Sequence, residues 1–463
     1  MTERITCVSP VDGRTYASRS VATKKTIAAT FDSARKAQKQ WERLPLAERA
    51  AYCSAAVDAM LAMKDEIVPE LAWQMGRPVR YGAGELRGFE ERARSMIALA
   101  AEALADIDPG PKDGFVRYVR RDPVGVVFTI APWNYPYLTA VNSVVPALMA
   151  GNAVVLKHAA STLLVAERFQ QAFDRAGLPK GVFQHLVLSH PQVGQIIAAG
   201  RANMVCFTGS VAGGKAIEAA AVGRFIHVGL ELGGKDPAYV RSDANLPHAI
   251  ENLVDGAFFN SGQSCCAIER IYVDRRVWGD FLEGFVALTK QYVLGSPLAE
   301  ETTLGPLVRP AAAAFVRKQI AAAVRAGARA HIDPRGFPMD KSGTPYMAPQ
   351  VLTRVSHRMS VMRDESFGPV IGIMKVASDR EAIELMNDSP YGLTAAIWTE
   401  DVEAAQSIGR EIATGTVFMN RCDYLDPALT WTGVKDTGRG ATLSRVGYEA
   451  LTRPKSYHLR TRL

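Results

Sequence analysis

The stretch AVVLKHAASTLLVAERFQQAFDRAG, residues 153–177, decides the fold. Its first five residues form a short apolar run that reads as a buried strand, and the stretch from Ser161 onward reads as a helix. The pairing recurs downstream. VFQHLVL precedes PQVGQIIAAG, MVCFTGS precedes VAGGKAIEAAAVG, and FIHVGLELGGKDPAYV closes the series as one further strand. Strands separated by helices of about a dozen residues mean parallel βαβ units and a doubly wound sheet. A second alternating series follows residue 266, through ERIYVD, FLEGFVALTKQYV, FVRKQIAAAVRAG, ARAHIDP, PVIGIMKVA, EAIELMNDS, LTAAIWTE and TGTVFMN. The fold class expected is therefore α/β with two doubly wound lobes. The segment around residue 265 falls near their junction, a common place for a ligand cleft.

Upstream, residues 22–62 and 85–107 carry apolar positions at helical intervals, and GFVRYVRRDP alternates like an exposed strand before handing over to the buried GVVFTIAPW. A chain of 463 residues exceeds one hydrophobic core, and 48% hydrophobic with 22% charged residues describes a globular protein. The opening MTERITCVSP has no apolar core of a secretory signal, and apolar runs break before about 18 residues. A cytoplasmic location without membrane association is expected. The net charge of +7 is spread among interleaved acids, as in RGFEERARS. That pattern suits a solvated basic surface or a basic cleft for an anionic cofactor, and no nucleic-acid partner is expected. The six cysteines show no repeated CxxC spacing and the eight histidines no ligand-spaced cluster, so neither a metal site nor a disulfide framework is expected.

Four short segments can carry chemistry. PWNYP (132–136) follows an apolar strand, where open sheets bind ligands. Asn134, held between two prolines, suits an oxyanion donor, although Asn and Pro also favour plain turns. FTGSVAGG (207–214) is a glycine-rich turn before a helix and suits either a phosphate or a tight turn. ELGGKDP (231–237) puts Glu231 at a strand end, as a general base or a solvated acid. GQSCC (262–266) follows the expected helix AIENLVDGAFFNSG, so Cys265 at its C-terminal end would need a base or a cation to ionise. Taken alone, a small buried thiol is the commoner reading.

In this order, PWNYP, VVLKHA, FTGS, ELGGK, GQSC, ESFGPV and a late VKDTG resemble the NAD(P)-dependent aldehyde dehydrogenase superfamily, and the spacing of 34 residues from Glu231 to Cys265 matches as well. The resemblance spans essentially the whole chain. It implies a Rossmann-like cofactor domain (1–107 and 123–231), a catalytic domain (232–436) and a small β oligomerisation arm (108–122 and 437–463). It implies Cys265 as nucleophile, Asn134 with the Cys265 backbone N–H as oxyanion hole, and Glu231 as base. NAD or NADP would lie against Trp133, Lys157, Ala160, Gly209, Ser210 and Gly214, with Glu365 and Phe367 at the nicotinamide end. The substrate pocket would be lined by Thr139, Asn142, Phe259, Cys266, Tyr424, Leu425 and Trp431.

Two departures matter. Ala160 stands where NAD-preferring members often carry Glu, so no carboxylate repels a 2′-phosphate and Ser161 or Thr162 can donate to it. Gly440 replaces the acid of the usual GRE. Arg421 invites two readings, a grip on a substrate carboxylate or a salt bridge with Asp423 or Asp426, the second being favoured. The exposed strand and the final KSYHLRTRL imply a homodimer or homotetramer. The resemblance thus implies oxidation of an aldehyde to a carboxylic acid through a thiohemiacetal and a thioester. Two alternatives are transfer of the acyl group to coenzyme A and a catalytically silent relative. Family members that acylate coenzyme A commonly replace the glutamate present here as Glu231.

Overall fold

The computed structural model describes residues 3–463, so the first two residues of the expected cofactor-binding segment lie outside it. Two sheets organise the chain. The first runs in the order Gly438–Arg439, His227–Glu231, Met204–Thr208, Val126–Ile130, Ala153–Lys157, Phe183–His185. Neighbours are parallel except for the two-residue edge strand Gly438–Arg439. Strand order reverses between Val126–Ile130 and Met204–Thr208, which places the ligand crevice of an open α/β sheet at their carboxyl ends. Val126–Ile130 and Ala153–Lys157 are buried along their whole length. Helices cover both faces of such strands, and this is why the strands read as unbroken apolar runs.

The second sheet has seven strands: Arg329–Ala330, Gln350–Thr353, Val370–Val376, Ile268–Asp274, Asp236–Val240, Thr394–Trp398 and Thr416–Met419. Only the first pair is antiparallel. Two expectations need correction here. ARAHIDP forms just a two-residue edge strand, and the neighbouring Gln350–Thr353 had no counterpart in the sequence reading.

FIHVGLELGGKDPAYV is not one strand but two, in different sheets. The chain leaves the first sheet at Glu231, crosses through residues 232–235 and enters the second at Asp236. Gly233 and Gly234 permit the crossing. A Cβ on Gly233 would overlap the Glu365 carboxylate, and one on Gly234 would lie 2.7 Å from the Asp236 carboxylate. A second crossing runs beside it. The Leu232 N–H donates to the Thr437 carbonyl (3.0 Å), and Thr437 Oγ1 donates to the Gly233 carbonyl (3.0 Å).

Thr452–Arg460 pairs antiparallel with Phe115–Pro123 as a separate two-stranded ribbon. The arm expected over 437–463 is therefore shorter. Gly438–Arg439 joins the first sheet, and Ala441–Thr442 pairs with Trp431–Thr432. A hairpin of Arg4–Val8 with Thr15–Ser20 opens the described chain, a feature the sequence reading lacked. No helix among the described residues is long and apolar enough to cross a membrane.

Candidate active site

Between the lobes lies a cavity of about 290 Å³. Glu231 reaches it from the end of its strand in the first sheet, and Cys265 from the loop before Ile268–Asp274 in the second. Thr139, Asn142, Phe259, Cys266, Tyr424, Leu425 and Trp431 all line the same space. Burial raises the proton affinity of the Glu231 carboxyl. Hydrogen bonds from Thr208 (3.0 Å) and Thr442 (2.5 Å), and the charge of Arg92, offset part of that rise. Cys266 is buried and donates to Asp423 (2.9 Å). The neighbouring Cys265, burial and the Asp423 charge push its thiol well up. Asp423 also accepts from Ser264 (3.1 Å), and burial raises its carboxyl to about 6.

The loop that carries Cys265 differs from expectation. The preceding helix ends at Phe258, and the chain then takes positive φ at Asn260 (51°), Ser261 (58°) and Gly262 (72°). Cys265 is thus not a helix-terminal residue. Three successive left-handed residues are costly except for Gly and Asn, so the loop needs outside support. Asn260 supplies it, donating from Nδ2 to the carbonyls of Gln263 (3.1 Å) and Asn134 (3.2 Å). Gln263 donates back to the Asn260 carbonyl (3.1 Å) and accepts from the Val308 N–H (2.8 Å).

PWNYP is held from below by a buried ion pair that the sequence reading did not single out. Arg77 pairs with Glu85, donates to the Asn134 carbonyl (2.6 Å) and lies 4.5 Å over the Tyr135 ring. Glu85 accepts from the N–H groups of Tyr137 (2.9 Å) and Leu138 (3.1 Å), the first turn of the helix Pro136–Met149. The Asn134 backbone is therefore tied to both the cysteine loop and the helix Val79–Ala103. The signal for this pair was present only as two charges, Arg77 in the loop before the helix Val79–Ala103 and Glu85 within it.

At the carboxyl end of Ala153–Lys157, the Lys157 ammonium is buried and lowered to about 8 by desolvation. It has no hydrogen-bond acceptor among the described residues. Ala160 is exposed in a single turn, Ala160–Thr162. Gly209 and Gly214 earn their place through packing. A Cβ on Gly209 would meet the Phe207 ring at 2.7 Å and one on Gly214 would meet Leu232 at 2.6 Å. Ser210 caps the helix Val211–Ala221 by accepting from the Gly213 N–H, which leaves the exposed helix start open to an anion. Across the crevice, Trp133 meets Phe367 edge to face at 5.6 Å. Glu269 accepts from the Ser366 and Phe367 N–H groups and pairs with Lys235. Glu365 accepts from the Gly234 N–H (3.2 Å), and burial beside Glu269 pushes its carboxyl to about 8. An orphaned cation, an open helix start and a facing pair of rings fit a dinucleotide along the crevice.

Arg421 follows neither of its expected readings. Its guanidinium stacks 4.0 Å over Tyr424, makes no ion pair with Asp423 or Asp426, and does not line the cavity. No group of three or more potential metal ligands occurs among the described residues.

Comparison with known proteins gives the family. The model of the aldehyde dehydrogenase family matches residues 1–457. A probable succinate-semialdehyde dehydrogenase [NADP(+)] of Synechocystis is 32% identical, with 96% of this chain and 97% of that protein covered. An aldehyde dehydrogenase of Paenarthrobacter nicotinovorans is 34% identical over the same shares. The crystal structure of succinic semialdehyde dehydrogenase from Streptococcus pyogenes with NADP+ superposes with a TM-score of 0.93 at 29% identity, covering 98% of this chain and 100% of that one. With the motifs in order and the family model running from end to end, this chain belongs to the aldehyde dehydrogenase family.

Proposed function

We propose that the protein oxidises an aldehyde to its carboxylic acid with NAD or NADP, through an acyl group held on Cys265. One observation carries the reading: the Cys265 thiol and the Glu231 carboxylate, from different lobes, share one small cavity at the crevice. Cys265 Sγ, as thiolate, adds to the carbonyl carbon and leaves a thiohemiacetal alkoxide. Asn134 Nδ2 and the Cys265 backbone N–H donate to that oxygen. A nicotinamide held by Trp133, Glu365 and Phe367 would supply the acceptor for the hydride that leaves this carbon. The thioester remaining on Cys265 is attacked by water as Glu231 takes the water's proton, which frees the acid and the thiolate. A base whose proton affinity is raised by burial suits that transfer near neutrality.

The start of Val211–Ala221 would hold the cofactor's phosphates, and Lys157 its adenosine ribose. Trp133, Glu365 and Phe367 form the nicotinamide end. Ala160 brings no charge against a 2′-phosphate, so NADP is accepted. In this reading the six-stranded lobe holds the cofactor, the seven-stranded lobe presents the thiol, and the ribbon of Phe115–Pro123 with Thr452–Arg460 joins copies of the chain.

The test is an assay of aliphatic, aromatic and carboxylated aldehydes with each nicotinamide, with the product identified. Reduced cofactor and free acid are expected, and Cys265→Ser abolishes both. Retained turnover in that variant, or acyl-coenzyme A as the product, sinks the reading.

A further inference from the structure

Four charged residues bordering the cavity, Arg87, Glu91, Arg92 and Asp423, take no part in the chemistry above, and Arg92 is the buried cation among them. It projects into the cavity from the helix Val79–Ala103 and is 9% exposed. Its Nη1 donates to the Leu138 carbonyl (2.8 Å) and more weakly to Asn142 Oδ1 (3.4 Å). Neither Nε nor Nη2 donates to any protein group, and no carboxylate pairs with it, among the described residues. Burial accordingly lowers its proton affinity.

Every carboxyl that borders the cavity has other partners. Glu231 takes Thr208 and Thr442, Asp423 takes Ser264 and Cys266, and Glu91 takes the Tyr424 hydroxyl (2.7 Å). Glu85, just outside, is held by Arg77. A buried guanidinium that feels Glu85 and Glu231 only through space, with no direct ion pair, is costly unless something supplies a counter-charge. The substrate can bring that charge into the cavity.

We propose that Arg92 binds a carboxylate carried by the aldehyde substrate, which makes this enzyme selective for short semialdehydes. The inference rests on the dehydrogenase reading above and adds the substrate class to it. The planar fork of Nε and Nη2 matches a carboxylate in bidentate geometry. Leu138 and Asn142 hold Nη1 and so fix the orientation of the fork. One buried guanidinium balances one negative charge, the cavity's other arginine, Arg87, being exposed to solvent, which favours a carboxylate over a phosphate dianion. A cavity of about 290 Å³ lies at the small end of ligand pockets, roughly 300–1,000 Å³, so the chain between aldehyde and carboxylate is short. Phe259, Leu425 and Trp431 supply apolar walls for it.

The experiment compares kcat/KM for succinate semialdehyde and for butanal, its four-carbon partner without the carboxylate, in wild type, Arg92→Gln and Asn142→Asp. Wild type prefers the semialdehyde. Arg92→Gln lowers the ratio of the two values by roughly 30-fold or more, the scale of one lost charge-assisted pair, mainly through KM for the semialdehyde. Asn142→Asp leaves the arginine in place but gives it an internal carboxylate, and the ratio falls here too even if Arg92→Gln does not fold. A wild type that prefers butanal, or a ratio that stays within about threefold in both variants, overturns the role of Arg92 while the dehydrogenase reading stands. A wild type that reduces neither nicotinamide with either aldehyde overturns both.

Discussion

Glu231 has two threonine hydroxyls on its carboxylate and burial holding its proton on. Only its ionised form accepts a proton from water, so raising its pKa leaves less base at a given pH. Turnover limited by thioester hydrolysis is expected to rise with pH through an apparent pKa above the ordinary glutamate value of about 4.3. Glu231→Gln should keep a rapid first burst of reduced cofactor, slow steady turnover by ~10²–10⁴ and lose that ascending limb. A stopped-flow trace across pH checks all three. Asn134 is a separate case. Asn134→Ala removes one donor from the alkoxide and should lower kcat by ~10²–10³ with the burst slowed as well. A burst that keeps its wild-type rate would show the amide to be positional. Cys265 and Glu231, which share the cavity, stand out in the sequence through short motifs, as does Asn134, because the proposed chemistry restricts those positions to particular residue types. Asp423 and Arg92 were not, since a charge in a helix or a loop looks the same in sequence whether it faces a cavity or water.

Among the elements, the buried pair of Arg77 and Glu85 is the support on which PWNYP rests. Removing one member leaves the other charged and uncompensated. Arg77→Leu is therefore expected to cost about 3–5 kcal/mol, seen as a lower unfolding midpoint in denaturant. Pairing it with Glu85→Leu should recover part of the midpoint but not the activity, because the Asn134 carbonyl then keeps only its bond from Asn260 and loses the shorter one from Arg77. The alternation of strands and helices was legible from residue 153 onward because buried parallel strands are continuous apolar runs. The break inside FIHVGLELGGKDPAYV was not. Both halves are apolar, and what separates them is the Glu365 carboxylate pressed against Gly233, which belongs to a loop more than 130 residues away. The helix before Cys265 was likewise overextended, because FFNSG carries no proline and its left-handed turn depends on Asn260 bonding to a distant carbonyl.

At the scale of the whole molecule, the ribbon of Phe115–Pro123 with Thr452–Arg460 stands apart from both sheets. It is stiffened by stacked rings of Tyr118 with Tyr457 (4.5 Å) and Phe115 with His458 (4.8 Å). It exposes Val116 and Leu459 at about half their surface. A ribbon with free edges and apolar side chains is a pairing surface. Deleting residues 452–463 should shift the mass measured by light scattering from a multiple of 50.2 kDa towards a single chain. The double crossing between the sheets has a different consequence. Residues 232–235 and Thr437 run side by side and are bonded to each other, so the two halves are strapped together right next to Glu231. A clamshell that yawns open needs a loose pivot, and this one is braced. The nucleotide and the aldehyde are then expected to enter a frame of nearly constant width. Amide exchange at Leu232, whose N–H closes the strap, should be among the slowest in the chain and indifferent to added ligand.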